Sequence, residues 1–113
     1  MQEAAVIVAR AEDPPFRKTR SATRFVVTLP VEMKLAGGRL RGSTRNLSLG
    51  GVLIESPLVI ACDTRLILRL ALPGHELELA GMVRRTEPGG IGVCFERLRT
   101  RDVWRLGDFL ERL

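Results

Sequence analysis

A chain of 113 residues can enclose one hydrophobic core but not a catalytic domain together with a regulatory one, so a single module is expected. Net charge is +5, and arginine makes up all of the eighteen cationic residues except Lys18 and Lys34. That balance suits planar, forked contacts to phosphate or guanine, although a GC-rich coding sequence has the same effect. The first element is a mixed arm, residues 1–19, read as mostly mobile: a short apolar run from Ala4 to Ala9, the breaker Glu12-Asp13-Pro14-Pro15, then a basic stretch from Arg17. The apolar run is too short for a secretion signal, and Glu3 stands where a basic flank would be. No stretch approaches the roughly 20 apolar residues of a membrane span. Cys62 and Cys94 are isolated thiols in apolar surroundings with no Cys-x-x-Cys, so neither a disulfide framework nor a metal site is expected. A soluble, cytoplasmic protein follows as the expectation.

From Phe25 the pattern has period two. Val27, Leu29, Val31, Met33 and Leu35 share one face, while Thr28, Glu32 and Lys34 lie on the other. Pro30 in mid-run implies an edge or a bulge. Gly37-Gly38 offers the positive φ angles of a tight hairpin, and Arg39 to Leu47 returns as the second strand. Gly50-Gly51 punctuates before a third, Val52 to Glu55. In the fourth, Leu66, Leu68, Leu70 and Leu72 alternate with Arg65, Ile67, Arg69 and Ala71, which makes the leucine face core. Pro73-Gly74-His75 turns into a fifth with Leu77, Leu79 and Val83 inward, and Glu87-Pro88-Gly89-Gly90 turns into a sixth with Ile91, Val93 and Phe95. Strands at this interval joined by Gly/Pro turns predict an antiparallel barrel or closed sandwich. Thr100 is placed to cap a final helix with Asp102 in its first turn, and Val103, Leu106, Phe109, Leu110 and Leu113 form its apolar stripe. Gly107 inside that helix implies either a close contact or packing that offsets its poor propensity.

Two clusters carry chemistry. Arg20 and Arg24, four apart, precede the first hairpin, and Asn46, Ser48 and Gly51 follow it in Asn46-Leu47-Ser48-Leu49-Gly50-Gly51. The arginine spacing recurs at Arg41/Arg45, Arg65/Arg69, Arg97/Arg101 and Arg101/Arg105 and proves nothing alone. An [Asp/Asn]-x-Ser-x-x-Gly match is rarer, with roughly 0.02 expected by chance in a chain of this composition. Asn46 offers a carbonyl and an amide, Ser48 a short hydroxyl, and Gly51 close access to backbone. Each also has a bland reading, since Asn and Ser commonly shape a turn before glycines and an arginine pair can be a solvated arm.

Taken together, the two clusters resemble the PilZ domain, whose members include receptors for cyclic di-GMP. The resemblance spans about Arg17 to Leu113 and includes Leu29-Pro30-Val31 and Gly90-Ile91-Gly92-Val93-Cys94-Phe95. It implies a mainly β fold: a six-stranded antiparallel barrel over residues 20–113 with a C-terminal α-helix, preceded by a flexible N-terminal arm. It further implies that Arg20 and Arg24 clamp guanine and phosphate while Asn46, Ser48 and Gly51 form the floor, with Arg17, Lys18 and Arg45 as possible additional phosphate contacts. Such a receptor needs no cofactor beyond its ligand and acts through a protein partner, in motility, pili or exopolysaccharide production.

Other classes have less support. His75 is alone in a Pro-Gly turn, Glu76 and Glu78 read as a solvated face, and Ser48 has no nucleophile elbow around it, so no catalytic residue is assigned. A nucleic-acid-binding barrel would suit the basic charge, but the chain has no Tyr and few aromatics outside the core pattern. Trp104 reads as a core or interface residue in preference to a stacking platform. Within the fold, a ligand-independent interaction module, for example in pilus assembly, is the alternative.

Overall fold

The computed structural model describes Ala5–Val6 and residues 23–113. The expected mobility of the arm, and the positions of Arg17, Lys18 and Arg20, fall outside the described residues. Eight strands and one helix follow in order: β1 (Ala5–Val6), β2 (Phe25–Thr28), β3 (Pro30–Leu35), β4 (Gly38–Leu47), β5 (Gly51–Glu55), β6 (Arg65–Leu72), β7 (His75–Glu87), β8 (Gly90–Glu96) and α1 (Thr100–Glu111). The sheet runs β1-β2-β4-β3-β6-β7-β8-β5, all neighbours antiparallel, and the β4–β5 pairing closes β3 to β8 into a six-stranded barrel.

The run from Phe25 to Leu35 divides at Leu29 into β2 and β3, both lying along β4. Pro30 has no N–H to give the ladder. Thr44 spans the break: its Oγ1 accepts from the Leu29 N–H at 2.9 Å and donates to the Val27 carbonyl, while the Thr44 N–H donates to the Leu29 carbonyl. The interrupted strand therefore leaves no orphaned buried group at this point. Further irregularities at Thr44/Asn46 in β4 and Val83/Arg85 in β7 add the local twist and bend that closing a small barrel requires.

The hairpins follow turn chemistry. Leu72-Pro73-Gly74-His75 and Glu87-Pro88-Gly89-Gly90 each place Pro before a Gly with positive φ, +92° at Gly74 and +80° at Gly89, the requirement of a type II turn. The first hairpin differs from expectation. Its two loop residues are Ala36 and Gly37, and of the two glycines only Gly38 has positive φ.

Period-two alternation sets the core. Val27, Leu29, Val31 and Met33, all four β6 leucines, Leu77, Leu79, Val83, Ile91 and Val93 are buried together, with Leu47, Val52 and Ile54 from the strands around the motif turn. Leu106 and Leu110 bring α1 onto this cluster, each burial contributing roughly 2 kcal/mol. Two helix expectations change. The cap position is Arg99, whose N–H donates to the Asp102 carboxylate at 3.4 Å, so Thr100 is the first helical residue and not the cap. Val103 is 40% exposed and stands outside the buried stripe. At Gly107 an added Cβ would meet only Leu49 Cδ2, at 3.9 Å, so packing and not crowding explains how the helix tolerates glycine.

Candidate functional site

The site is built where β2, β4 and β5 meet. Pairing of Phe25 with Leu47 and of Val26 with Asn46 brings the residue just ahead of β2 diagonally across from Asn46. Arg24 Nη1 donates to Asn46 Oδ1 at 2.7 Å, a short bond strengthened by the guanidinium charge. Arginine has no acceptor, so the Asn46 atom facing it is the oxygen and the Asn46 NH₂ points elsewhere as a donor. The remaining guanidinium N–H groups and this amide make a surface of donors alone. Such a surface fits phosphate oxygens or the O6/N7 edge of guanine. Of the carbonyl and amide that Asn46 offers, the carbonyl is already engaged by Arg24.

Ser48 begins the turn into β5 and is 3% exposed. Its N–H donates to the Gly51 carbonyl at 2.9 Å, and its Oγ accepts from the N–H groups of Gly50 and Gly51 at 3.1 and 3.2 Å. The hydroxyl closes its own turn. Phe95 of β8 donates its N–H to the Gly50 carbonyl at 2.9 Å, tying the turn tip to the neighbouring strand. Gly51 pairs with Cys94, and a Cβ there would collide with the Val93 carbonyl oxygen. The close approach that this glycine permits is made by β8 itself.

Arg45, the extra residue of the β4 bulge, sits between Glu55 at 3.3 Å and Glu87 at 3.6 Å. It is thus engaged with two carboxylates, in solvent-exposed pairs worth at most about 1 kcal/mol each. Leu49, a spacer in the motif, stands 3.9 Å from where a Cβ on Gly107 of α1 would be; only the fold could reveal this proximity. The structure thus brings Arg24, Asn46, Ser48 and Gly51 together, with Arg45 beside them in an ion-pair cluster.

Away from the site, Arg69 gathers Glu32, Glu76 and Glu78 within 3.7 to 3.9 Å on the outer barrel face, the solvated arrangement expected of those glutamates. Cys62 and Cys94 are free and exposed, in place of the apolar surroundings expected, because Cys94 takes the outward position between Val93 and Phe95. Among the described residues no group of His, Cys, Asp and Glu is arranged to hold a metal, and no helix is long and apolar enough to cross a membrane. Trp104 is 72% exposed, which removes the core from its two expected roles.

The PilZ domain of CeSA from a cellulose-synthesizing bacterium superposes with a TM-score of 0.67 at 29% identity, covering 80% of this chain and 99% of that one. The Bacillus subtilis inhibitor of motility MotI/DgrA superposes at 0.73 with 18% identity over 96% of this chain, which spans 64% of that protein and shares its fold. No curated protein matches the sequence significantly. The family model for the PilZ domain matches residues 18–112, which takes in the barrel, the motif turn and the helix, and the chain belongs to the PilZ domain family.

Proposed function

We propose that this protein is a cytoplasmic cyclic di-GMP receptor, not a catalyst, that converts ligand binding into a protein–protein contact regulating motility, pili or exopolysaccharide. The observation that carries this reading is the Arg24–Asn46 pair: a half-buried guanidinium held at 2.7 Å on a carboxamide, presenting only donors where the chain enters the barrel. Cyclic di-GMP offers two phosphodiesters and two guanine O6/N7 edges, all acceptors. Arg20, four residues earlier, would take the second arginine role in the family pattern, and Arg17 and Lys18 would add phosphate contacts. Arg45 would have to leave Glu55 and Glu87 to do so. Ser48 and Gly51 contribute by fixing the turn backbone beside Asn46.

Calorimetric titration with cyclic di-GMP tests the reading. Dissociation near or below micromolar, about −8 kcal/mol or better, is expected, weakened at least about tenfold in Arg24→Ala and in Asn46→Ala. Absence of saturation up to about 100 µM ligand, above −5.5 kcal/mol, would remove the receptor assignment. A second reading, the ligand-independent interaction module, is favoured by one observation: the fold itself uses the Ser48 hydroxyl and the absent Gly51 side chain. A partner complex that forms equally with and without cyclic di-GMP, and is unchanged by Arg24→Ala, would establish it.

A further inference from the structure

The first two turns of α1 expose both apolar and cationic side chains. Trp104 is 72% exposed and Val103 40%, so two apolar side chains face water. Arg101 neighbours Trp104 at i+3 and Arg105 at i+4 on the helix surface, and Arg97 and Arg99 lead into the helix, all four exposed. Among the described residues no carboxylate is within ion-pairing distance of any of the four, whereas Arg45, Arg65, Arg69, Arg85 and Arg112 have partners. Among those same residues Arg24, Arg39, Arg41 and Arg84, on or beside the barrel strands, also have none, so what sets the four apart is their grouping around Trp104. Arg99 and Arg101 also stand at the positive pole of the helix, where the macrodipole disfavours cations, while Asp102 in the first turn and Arg112 at the C-cap are of the favourable sign. The cations at the helix start therefore do not serve the helix itself.

We propose that this face of α1 is a docking surface for an acidic amphipathic segment of a partner protein, whose carboxylates meet Arg97, Arg99, Arg101 and Arg105 while an apolar side chain covers Trp104 and Val103. Charge complementarity selects the occupant. Arg and Trp are also the residue types that dominate binding energy at protein interfaces. A nucleic acid would satisfy the arginines, but it stacks on successive aromatic platforms, and Phe25, Phe95 and Phe109 are turned toward the core. Val59, beside the exposed Leu58, is as exposed as Trp104, but no charge between Ser56 and Cys62 specifies what would cover that tip. The inference rests on the adaptor half of the proposed function and names the chemistry of the partner. Leu49 of the motif turn comes within 3.9 Å of where a Cβ on Gly107 would stand, so the turn and this helix are near neighbours.

Trp104 is the sole tryptophan of the chain, so its own emission reports contact at this face. The full chain is titrated with a synthetic peptide carrying glutamates and leucines at helical spacing, its lysine-for-glutamate counterpart, and a single-stranded oligonucleotide, each at low and physiological salt. A saturable blue shift with the glutamate peptide, weakened by salt and absent with the lysine peptide, is expected. The labelled glutamate peptide should bind Arg101→Glu/Arg105→Glu and Trp104→Ala at least tenfold more weakly by anisotropy. No saturation with the glutamate peptide, equal binding of the two peptides, or tighter binding of the oligonucleotide would overturn the proposal. Cyclic di-GMP calorimetry on the same samples separates the two ideas: ligand binding without peptide binding sinks the docking face alone, and the reverse sinks the receptor alone.

Discussion

Ser48→Ala tests whether the motif serine belongs to the fold or waits for a ligand. Its Oγ accepts from two N–H groups in the turn, and the serine is 3% exposed. The Gly51 bond is buried, so alanine strands that N–H away from water at a cost of about 1–3 kcal/mol. Gly50 is at the exposed tip, and water replaces the lost partner at a cost of a few tenths of a kcal/mol, roughly a weak net hydrogen bond. The sum is about 2 kcal/mol, without any ligand present. At a urea m-value of about 1.5 kcal/mol/M, the unfolding midpoint falls by roughly 1.3 M with m unchanged. The melting temperature drops by about 8 °C for a domain of this size. A midpoint within about 0.3 M of the parent, equivalent to less than ~0.5 kcal/mol, would refute the structural role of the hydroxyl.

Thr44→Val keeps shape but leaves the buried Leu29 N–H without its acceptor and the Val27 carbonyl without its donor, so a loss of about 1–3 kcal/mol is expected by urea unfolding. Gly51→Ala drives a Cβ into the Val93 carbonyl and pries β5 from β8; a loss of about 1–3 kcal/mol, or failure to fold, is the expected outcome by calorimetric melting. Gly107→Ala goes the other way: with only Leu49 Cδ2 nearby, at 3.9 Å, the gain in helix preference is about 0.5–1 kcal/mol, read as a rise of the melting temperature by roughly 2–5 °C.

The barrel was legible wherever one face of a strand is buried and the other wet. Leu66 to Leu72 and Leu77 to Val83 alternate as written, because a slip of one residue would turn every leucine outward. Pro30 announced a break but not its repair, since the Thr44 hydroxyl that bridges it is fifteen residues away and looks like any strand threonine. β1 was not legible: two residues paired with β2 carry too little periodicity to stand out from an apolar run. At the helix start, Thr100 has the capping type, yet the Asp102 carboxylate reaches the N–H one residue earlier, and geometry of that kind is invisible to residue preference. Cys94 could have been placed outward from the alternation of Ile91, Val93 and Phe95, had the same period been applied to it.

The motif itself divides in two when its residues are asked what else holds them. Ser48 and Gly51 would be required by this barrel with no ligand in existence, because the turn needs the hydroxyl as an acceptor and β8 occupies the space of a side chain. Their presence is therefore evidence of the fold and only through it of the ligand. Arg24 and Asn46 are different. They are half-buried polar groups at the barrel edge, and the pair they form does not hold two strands together that the β2–β4 ladder leaves apart. Removing Arg24 costs the fold one partly exposed hydrogen bond, about 1 kcal/mol, yet it deletes the charge bonded to Asn46. Loss of ligand binding in Ser48→Ala would thus be read through a destabilised turn, whereas loss in Arg24→Ala, with the melting temperature lowered by only about 4 °C, bears on recognition directly.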